Sequence, residues 1–193
     1  MKIKDVFSEI LVGYNLNNAG VKDKYSKYYK TLQKDSIQYT NIIPKRLIDK
    51  AFSSEIKQKF FMQERDILIF VKKPYRVGYY TGSNIDIVVP NNFIILRGMD
   101  SEKYSYIFVV NYLEKIGLEE FVRRENIIGN LSIEDVKNIE LPDISKEKQI
   151  KISSLLRSIN DRSALYSNIL ENDEKIVLYA LNKVIGDSHD WEY

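Results

Sequence analysis

Three groups of cations in this chain lie among side chains that can stack or hydrogen-bond. Lys22, Lys24, Lys27 and Lys30 alternate with Tyr25, Tyr28 and Tyr29. Lys72, Lys73 and Arg76 bracket Pro74 and Tyr75, and Arg123 and Arg124 stand just before Asn126. Ammonium and guanidinium groups neutralise phosphates, and tyrosines stack on bases or hydrogen-bond to the backbone. An arginine on a protruding turn can pair bidentately with guanine in the major groove. Each group alone also fits a solvated loop. Together, on segments that read as loops, they point to binding of DNA through Lys22, Lys24, Tyr25, Lys27, Lys72, Lys73, Tyr75, Arg76, Arg123, Arg124 and Asn126.

Signs of bond-making chemistry are weak. The single histidine, His189, sits in the polar run S-H-D-W-E-Y, where nothing positions an imidazole for nucleophilic catalysis. Asp49, Glu55 and Lys57 include the E-x-K spacing of some nucleases, but they fall in a segment that reads as helix and loop. The eight glycines are scattered singly, so no phosphate-cradling loop is spelled out. There is no cysteine, which removes disulfides and thiolate zinc sites and suits a reducing cytoplasm. The expectation is a non-catalytic binding protein with no metal and no cofactor of its own. An enzyme of the nuclease type, testable at Glu55, is the distant competitor.

The elements that would carry these groups follow from hydrophobic periodicity. Residues 1–12 place Ile3, Val6, Phe7, Ile10 and Leu11 on one helical face, with Gly13 as a stop. Residues 14–30 read as a long polar, aromatic loop. Residues 36–43 alternate like a strand closed by Pro44, and residues 45–52 look like a short helix. The unbroken apolar run at 67–71 predicts a buried strand, with residues 72–74 as a basic turn and 76–80 as the return. Two more strands are expected at 85–89 and 93–96, split by Pro90-Asn91-Asn92. Helices are expected at 104–114 and 119–124, punctuated by Gly117, with a loop at 125–130. Ser132 reads as the N-cap of a helix at 133–138, with Asp135 in the capping-box position.

The C-terminal quarter is the clearest pattern. After Pro142, apolar residues recur by threes and fours at Ile152, Leu155, Ile159, Tyr166, Ile169, Ile176 and Ala180, widened by Leu156 and Val184, among others. From residue 146 to 185 this predicts a helix about 60 Å long at ~1.5 Å per residue. Such a helix exceeds what one small domain covers, so it should meet another helix. Asp173 interrupts the heptad, and a hairpin broken near Asn172-Asp173 is the alternative.

The fold class is therefore α/β (α+β): a domain with a small twisted sheet and flanking helices at 1–143, a long coiled-coil-type helix at 144–187, and a polar tail at 188–193. Hydrophobic residues are 44% of the chain, enough for a core. The net charge is only +2, but residues 1–80 carry sixteen Lys/Arg against eight Asp/Glu, as a polyanion-binding portion would. No apolar stretch is long enough to span a membrane.

The motifs also resemble a family. K-D-V-F-S-E-I-L-V-G, then E-R-D-I-L-I-F-V-K-K-P-Y-R-V-G, then L-S-I-E-D-V-K-N-I-E-L-P-D-I-S-K-E-K-Q-I-K-I-S-S-L-L-R-S-I-N-D-R are similar, in that order, to the specificity subunit of type I restriction–modification systems. The second stretch is similar to that family's Gly-Asp strand and basic turn. The third is similar to its junction into the conserved-region helix, with Glu147, Gln149, Ile152, Leu156, Ile159 and Asp161 at or near the motif positions. Two departures stand out. Arg65 occupies the glycine position before Asp66, and the junction has one proline, Pro142, where a pair is usual. A full family member carries two recognition domains and two helices, whereas this chain has one of each.

The resemblance implies a DNA-recognition subunit that does no chemistry itself. A modification (methyltransferase) subunit carrying S-adenosylmethionine would dock on the helix and methylate adenine, and a restriction/translocase subunit could join. Two copies would pair their helices antiparallel as a homodimer through Ile152, Leu155, Leu156, Ile159, Tyr166, Ile169, Ile176, Ala180 and Val184, and would read a two-part, inverted site in double-stranded DNA. The competing reading is a protein-interaction or scaffolding module assembled through the long helix, without DNA binding.

Overall fold

The structure, a computed structural model, describes residues 1–16, 27–42, 46–52, 55–80, 82 and 86–189, with side chains as far as 185. The chain divides into two compact units, Met1–Ser153 and Ser154–Tyr193. The first unit is mixed α/β. Its strands are β1 (Phe7–Val12), β2 (Lys27–Thr31), β3 (Ile37–Gln38), β4 (Asn41–Ile42), β5 (Ile48–Phe52), β6 (Ile67–Phe70), β7 (Arg76–Tyr79), β8 (Ile87–Val88) and β9 (Phe93–Met99). A six-stranded sheet runs β1-β9-β6-β7-β4-β3, and a three-stranded sheet runs β5-β2-β8.

The larger sheet explains the continuous apolar runs. Successive strand residues point to opposite faces, and here both faces are covered. Ile67, Ile69, Val77, Ile94 and Leu96 pack against α1 (Tyr106–Tyr112) and α2 (Leu118–Arg124). Leu68, Phe70, Phe93 and Ile95 pack on the other side with Leu32, Ile37, Ile87 and Val89. The expected hairpin is present: β6 pairs antiparallel with β7 from Ile67↔Tyr79 to Phe70↔Arg76. β9 lies on the other side of β6, from Ile67↔Leu96 to Phe70↔Phe93.

Several local expectations are overturned. Residues 7–12 form a strand, not a helix, because β1 pairs along its length with β9, from Phe7↔Met99 to Val12↔Ile94. Only Ile3–Asp5 makes a single 3-10 turn. Gly13 does not stop a helix. It lets the chain pass close to another segment, since a Cβ there would lie 2.1 Å from the Pro90 carbonyl oxygen. Residues 48–52 are also strand rather than helix. β5 pairs with β2, and Phe52 is buried edge-on against Tyr14 and Tyr29. β2 begins at Lys27, inside the segment 14–30 read as loop. In place of one strand at 36–43, the described residues form two short strands, Ile37–Gln38 and Asn41–Ile42, around Tyr39 and Thr40, both in the left-handed region. The strand expected at 85–89 is present as Ile87–Val88, pairing parallel with β2 in the smaller sheet.

Gly117 does not end a helix either. α1 continues through one π turn, Leu113–Gly117, directly into α2. α3 (Ile133–Asn138) starts as read: the Ser132 side chain accepts the Asp135 N–H, and Asp135 caps back. α4 (Lys146–His189) is continuous through Asn172 and Asp173, so the broken hairpin is not formed. Among the described residues no helix is long and apolar enough to cross a membrane.

Candidate nucleic-acid interface

Two of the three cationic groups meet. The turn between β6 and β7 carries Lys72, Lys73, Pro74 and Tyr75, with a cis Lys73–Pro74 bond. The other wall is the loop leaving α2. That loop begins with a Schellman cap: Ile127 N–H donates to the Val122 carbonyl at 3.0 Å and Asn126 N–H to the Arg123 carbonyl at 3.4 Å. Asn126 takes the left-handed conformation this cap requires, with φ +52°. The two walls are tied together. Leu131 N–H donates to the Val71 carbonyl at 3.0 Å, and Tyr75 Oη donates to the Gly129 carbonyl at 3.3 Å. Burial, and secondarily Asp135, raise the Tyr75 phenol above its ordinary pKa, which keeps it a donor.

Between these walls lies an open groove of about 830 Å³. Lys73, Arg123 and Asn126 line it together with Pro74, Tyr75, Val122 and Ile128. Ile128 is 98% exposed, which is unusual for an isoleucine outside an interface. The groove thus offers cations for phosphates and an apolar surface for base edges. Glu119, also lining it, is the one acidic lining residue.

The remaining cations are placed differently. Arg76 donates to Glu114 Oε1 at 3.0 Å. Arg124 pairs with Glu125 at 2.9 Å and Glu140 at 3.6 Å and lies over the Phe121 ring. Its hydrogen bond to Glu125, more than Glu140, holds its pKa above the ordinary value. Arg124 borders a smaller cavity with Tyr112 and Pro142. Lys72 is exposed on the turn. Lys27 is exposed on β2 in the smaller sheet and does not line the groove. Lys30 pairs with Asp49, and Tyr29 is packed on Phe52 and Phe61. Lys22, Lys24 and Tyr25 lie outside the described residues. Of the nuclease-like set, Asp49 is thus the partner of Lys30. No group of three or more potential metal ligands occurs among the described residues.

Several polar groups that hold the surrounding fold have no role assigned by the sequence reading, although Asp66 and Gln149 stand in the resembling motifs. Glu114, in the π turn, takes Arg76 and also accepts the Val77 N–H at 2.6 Å. Asp66, fully buried, accepts a two-pronged bond from Arg97, Nε at 2.9 Å and Nη2 at 2.7 Å. Burial is the largest single influence and opposes the charge on Arg97, but the bonds and charge of Asp66 together with the charge of Glu9 outweigh it, and the guanidinium pKa stands above its ordinary value. Gln149, 1% exposed, anchors the first turn of α4: its Oε1 accepts Ser105 N–H, and its Nε2 donates to the Lys103 and Ile144 carbonyls. Ser153 adds a contact to the Ser105 hydroxyl at 3.2 Å.

In the second unit the helix carries its apolar side chains in the open. Leu155, Ile159, Tyr166, Ile169, Ile176, Ala180 and Val184 are exposed, as is Ile152 just before them; Leu156 is half-buried. An exposed apolar stripe of this length marks an interaction surface.

No protein-family model and no curated protein matches the chain. Solved structures do. The HsdS subunit from Thermoanaerobacter tengcongensis aligns over 93% of this chain and 46% of its own, at 13% identity and a TM-score of 0.60. A chain from a type I restriction–modification system, described for its complex assembly and conformational transition, aligns over 93% and 42%, at 18% identity and a TM-score of 0.59. The chain therefore has the fold of a type I specificity subunit and spans less than half the length of these neighbours.

Proposed function

We propose that this protein is the sequence-specific DNA-recognition subunit of a type I restriction–modification system. It performs no chemistry. It directs a modification subunit, which brings S-adenosylmethionine, to methylate adenine at a bipartite site, and a restriction/translocase subunit can join the complex. The observation that carries the reading is the groove where Lys73 and Arg123, from separate sequence segments, converge beside exposed Ile128. The shared fold supports it. Rim cations supply sequence-independent affinity, while the turn and loop are free to read base edges.

The stripe from Ile152 to Val184 supports assembly through α4, as a homodimer and as a platform for the modification subunit. A two-fold pair presents the same reading surface twice, in inverted orientation. The work of such a protein takes place in the cytoplasm.

The test is co-purification with the modification subunit of the same host, followed by methylation mapping on random DNA. A stable complex that methylates adenine in an inverted two-part motif is the expected result. A chain that forms no complex and directs no methylation overturns the proposal. The competing scaffolding reading is supported by the same apolar stripe. Salt separates the two, because DNA affinity falls steeply between 50 and 200 mM salt and association through an apolar face does not.

A further inference from the structure

Taking as given the antiparallel pairing of two α4 helices that the resemblance already implies, we infer that it adopts one register, fixed by Arg162 facing Asp173 of the second copy. This rests on the dimeric reading above and specifies its geometry.

The spacing of threes and fours that begins at Ile152 and Leu155 runs on to Ala180 and Lys183. Between its ends only Arg162 and Asp173 are charged, and Lys183 closes it. Both are exposed, and the helix's own ion pairs involve other residues, Lys151 with Glu147 and Lys175 with Glu171. A charge on an apolar seam costs stability unless the partner helix compensates it, and it then dictates register.

Each possible pairing gives these two residues a definite neighbour. In a parallel, in-register pair Arg162 meets Arg162 and Asp173 meets Asp173, two like-charge layers. An antiparallel pair with its two-fold axis between Ser167 and Asn168 brings each Arg162 opposite Asp173 of the second copy. The neighbouring layers are then Tyr166 with Ile169, Ile159 with Ile176, and Leu155 with Ala180, each formed twice. The outermost layer sets Ile152 against Lys183, whose stem is apolar and whose amine reaches solvent. Sliding this pair by one heptad destroys the match. In one direction Asp173 meets Leu155 and Arg162 meets Tyr166; in the other Asp173 meets Ile169 and Arg162 meets Ala180. Only one antiparallel register pairs both charges and keeps the other central layers apolar. The overlap spans about 47 Å at ~1.5 Å per residue. The two charges complement each other within one sequence, so the occupant that fits is another copy of the same helix.

The chain has no cysteine, so introduced cysteines report cleanly. In the full-length protein, Ile159→Cys combined with Ile176→Cys is expected to cross-link between chains on oxidation, and Ile159→Cys alone is not. Arg162→Asp and Asp173→Arg are each expected to raise the dimer dissociation constant about tenfold or more. The double exchange, Arg162→Asp with Asp173→Arg, restores opposite charges and should return to within about threefold of the starting value. A dimer in which Ile159→Cys alone cross-links as efficiently as the double variant, or in which both charge reversals are silent, overturns the register while leaving the dimer. A chain that sediments as a monomer at every concentration overturns both.

Discussion

Glu114 holds Arg76 and the backbone of the adjacent strand at once: one carboxylate oxygen takes the Arg76 guanidinium at 3.0 Å and the other takes the Val77 N–H at 2.6 Å. β4 meets β7 at Tyr79, so the amide two residues earlier finds its acceptor in the π turn instead. The Arg76 side chain is half exposed, and its pair is screened accordingly. Arg76→Ala should therefore cost only about 0.5–1 kcal/mol. Glu114→Ala also orphans the Val77 amide and should cost about 1–3 kcal/mol. Urea denaturation of the two variants checks the order. Equal losses would mean that Glu114 acts through Arg76 alone.

Lys73 and Arg123 should behave in the opposite way. Neither supports the fold through an ion pair among the described residues, and both line the groove. Replacing either by alanine should leave the denaturation midpoint unchanged and lower DNA affinity. If each neutralises a phosphate, the slope of log K against log salt should shrink by about 0.9 per residue. If Arg123 reads a base instead, its loss costs about 1–3 kcal/mol at one position of the site and relaxes specificity there. Fluorescence anisotropy across a salt series distinguishes these outcomes. Unchanged affinity in both variants would remove the groove from the interface.

Gln149 clamps the first turn of α4 to the chain around Ser105. Its amide spans three backbone groups, at Ser105, Lys103 and Ile144, while buried from solvent. Gln149→Leu keeps the volume roughly and orphans all three, which should cost at least about 1–3 kcal/mol. Gln149→Glu loses both donors and buries a charge, so it should be worse. Thermal unfolding of the domain provides the readout. A neutral Gln149→Leu would show that water replaces the clamp.

What the sequence made legible follows from the range of the forces involved. The hairpin at Ile67–Phe70 and Arg76–Tyr79, the Ser132 cap and the long α4 all rest on local signals: apolar runs, a basic turn, a capping pair and a heptad. The strands at Phe7–Val12 and Ile48–Phe52 were misread because their local spacing suits a helix, while pairing with residues far along the chain decides the outcome. Of the groove, the cations were visible but not their sorting. Arg124 finds a carboxylate next door in Glu125, but that Arg76 finds one depends on Glu114, 38 residues away in a π turn, and Arg123 has no ion pair among the described residues. The Asn126 turn was readable in principle, since Arg-Arg-Glu-Asn followed by two isoleucines spells a left-handed helix stop with its hydrophobic contact.

The last prediction concerns Arg65 and Asp66. Arg65 adopts φ +67°, where an L residue pays about 1–2 kcal/mol, and the resembling motif has glycine there. The turn is held because Arg65 N–H donates to the Tyr80 carbonyl at 2.9 Å and the Asp66 carboxylate takes the Gln63 N–H at 2.8 Å along with the Arg97 fork. Asp66→Ala would leave the largely buried Arg97 guanidinium with the more exposed Glu9, 3.7 Å away, and the Phe61 carbonyl, and should cost about 3 kcal/mol. Arg65→Gly removes the steric strain but adds flexibility to the unfolded chain worth about 0.5–1 kcal/mol. The net effect should be a gain of up to about 1 kcal/mol. The urea midpoint should rise for Arg65→Gly and fall for Asp66→Ala, with the m-value unchanged in the first. A lowered midpoint for Arg65→Gly would mean that the arginine side chain contributes more than its backbone strain costs, and that its pair with Glu64, 3.6 Å apart, is part of the turn.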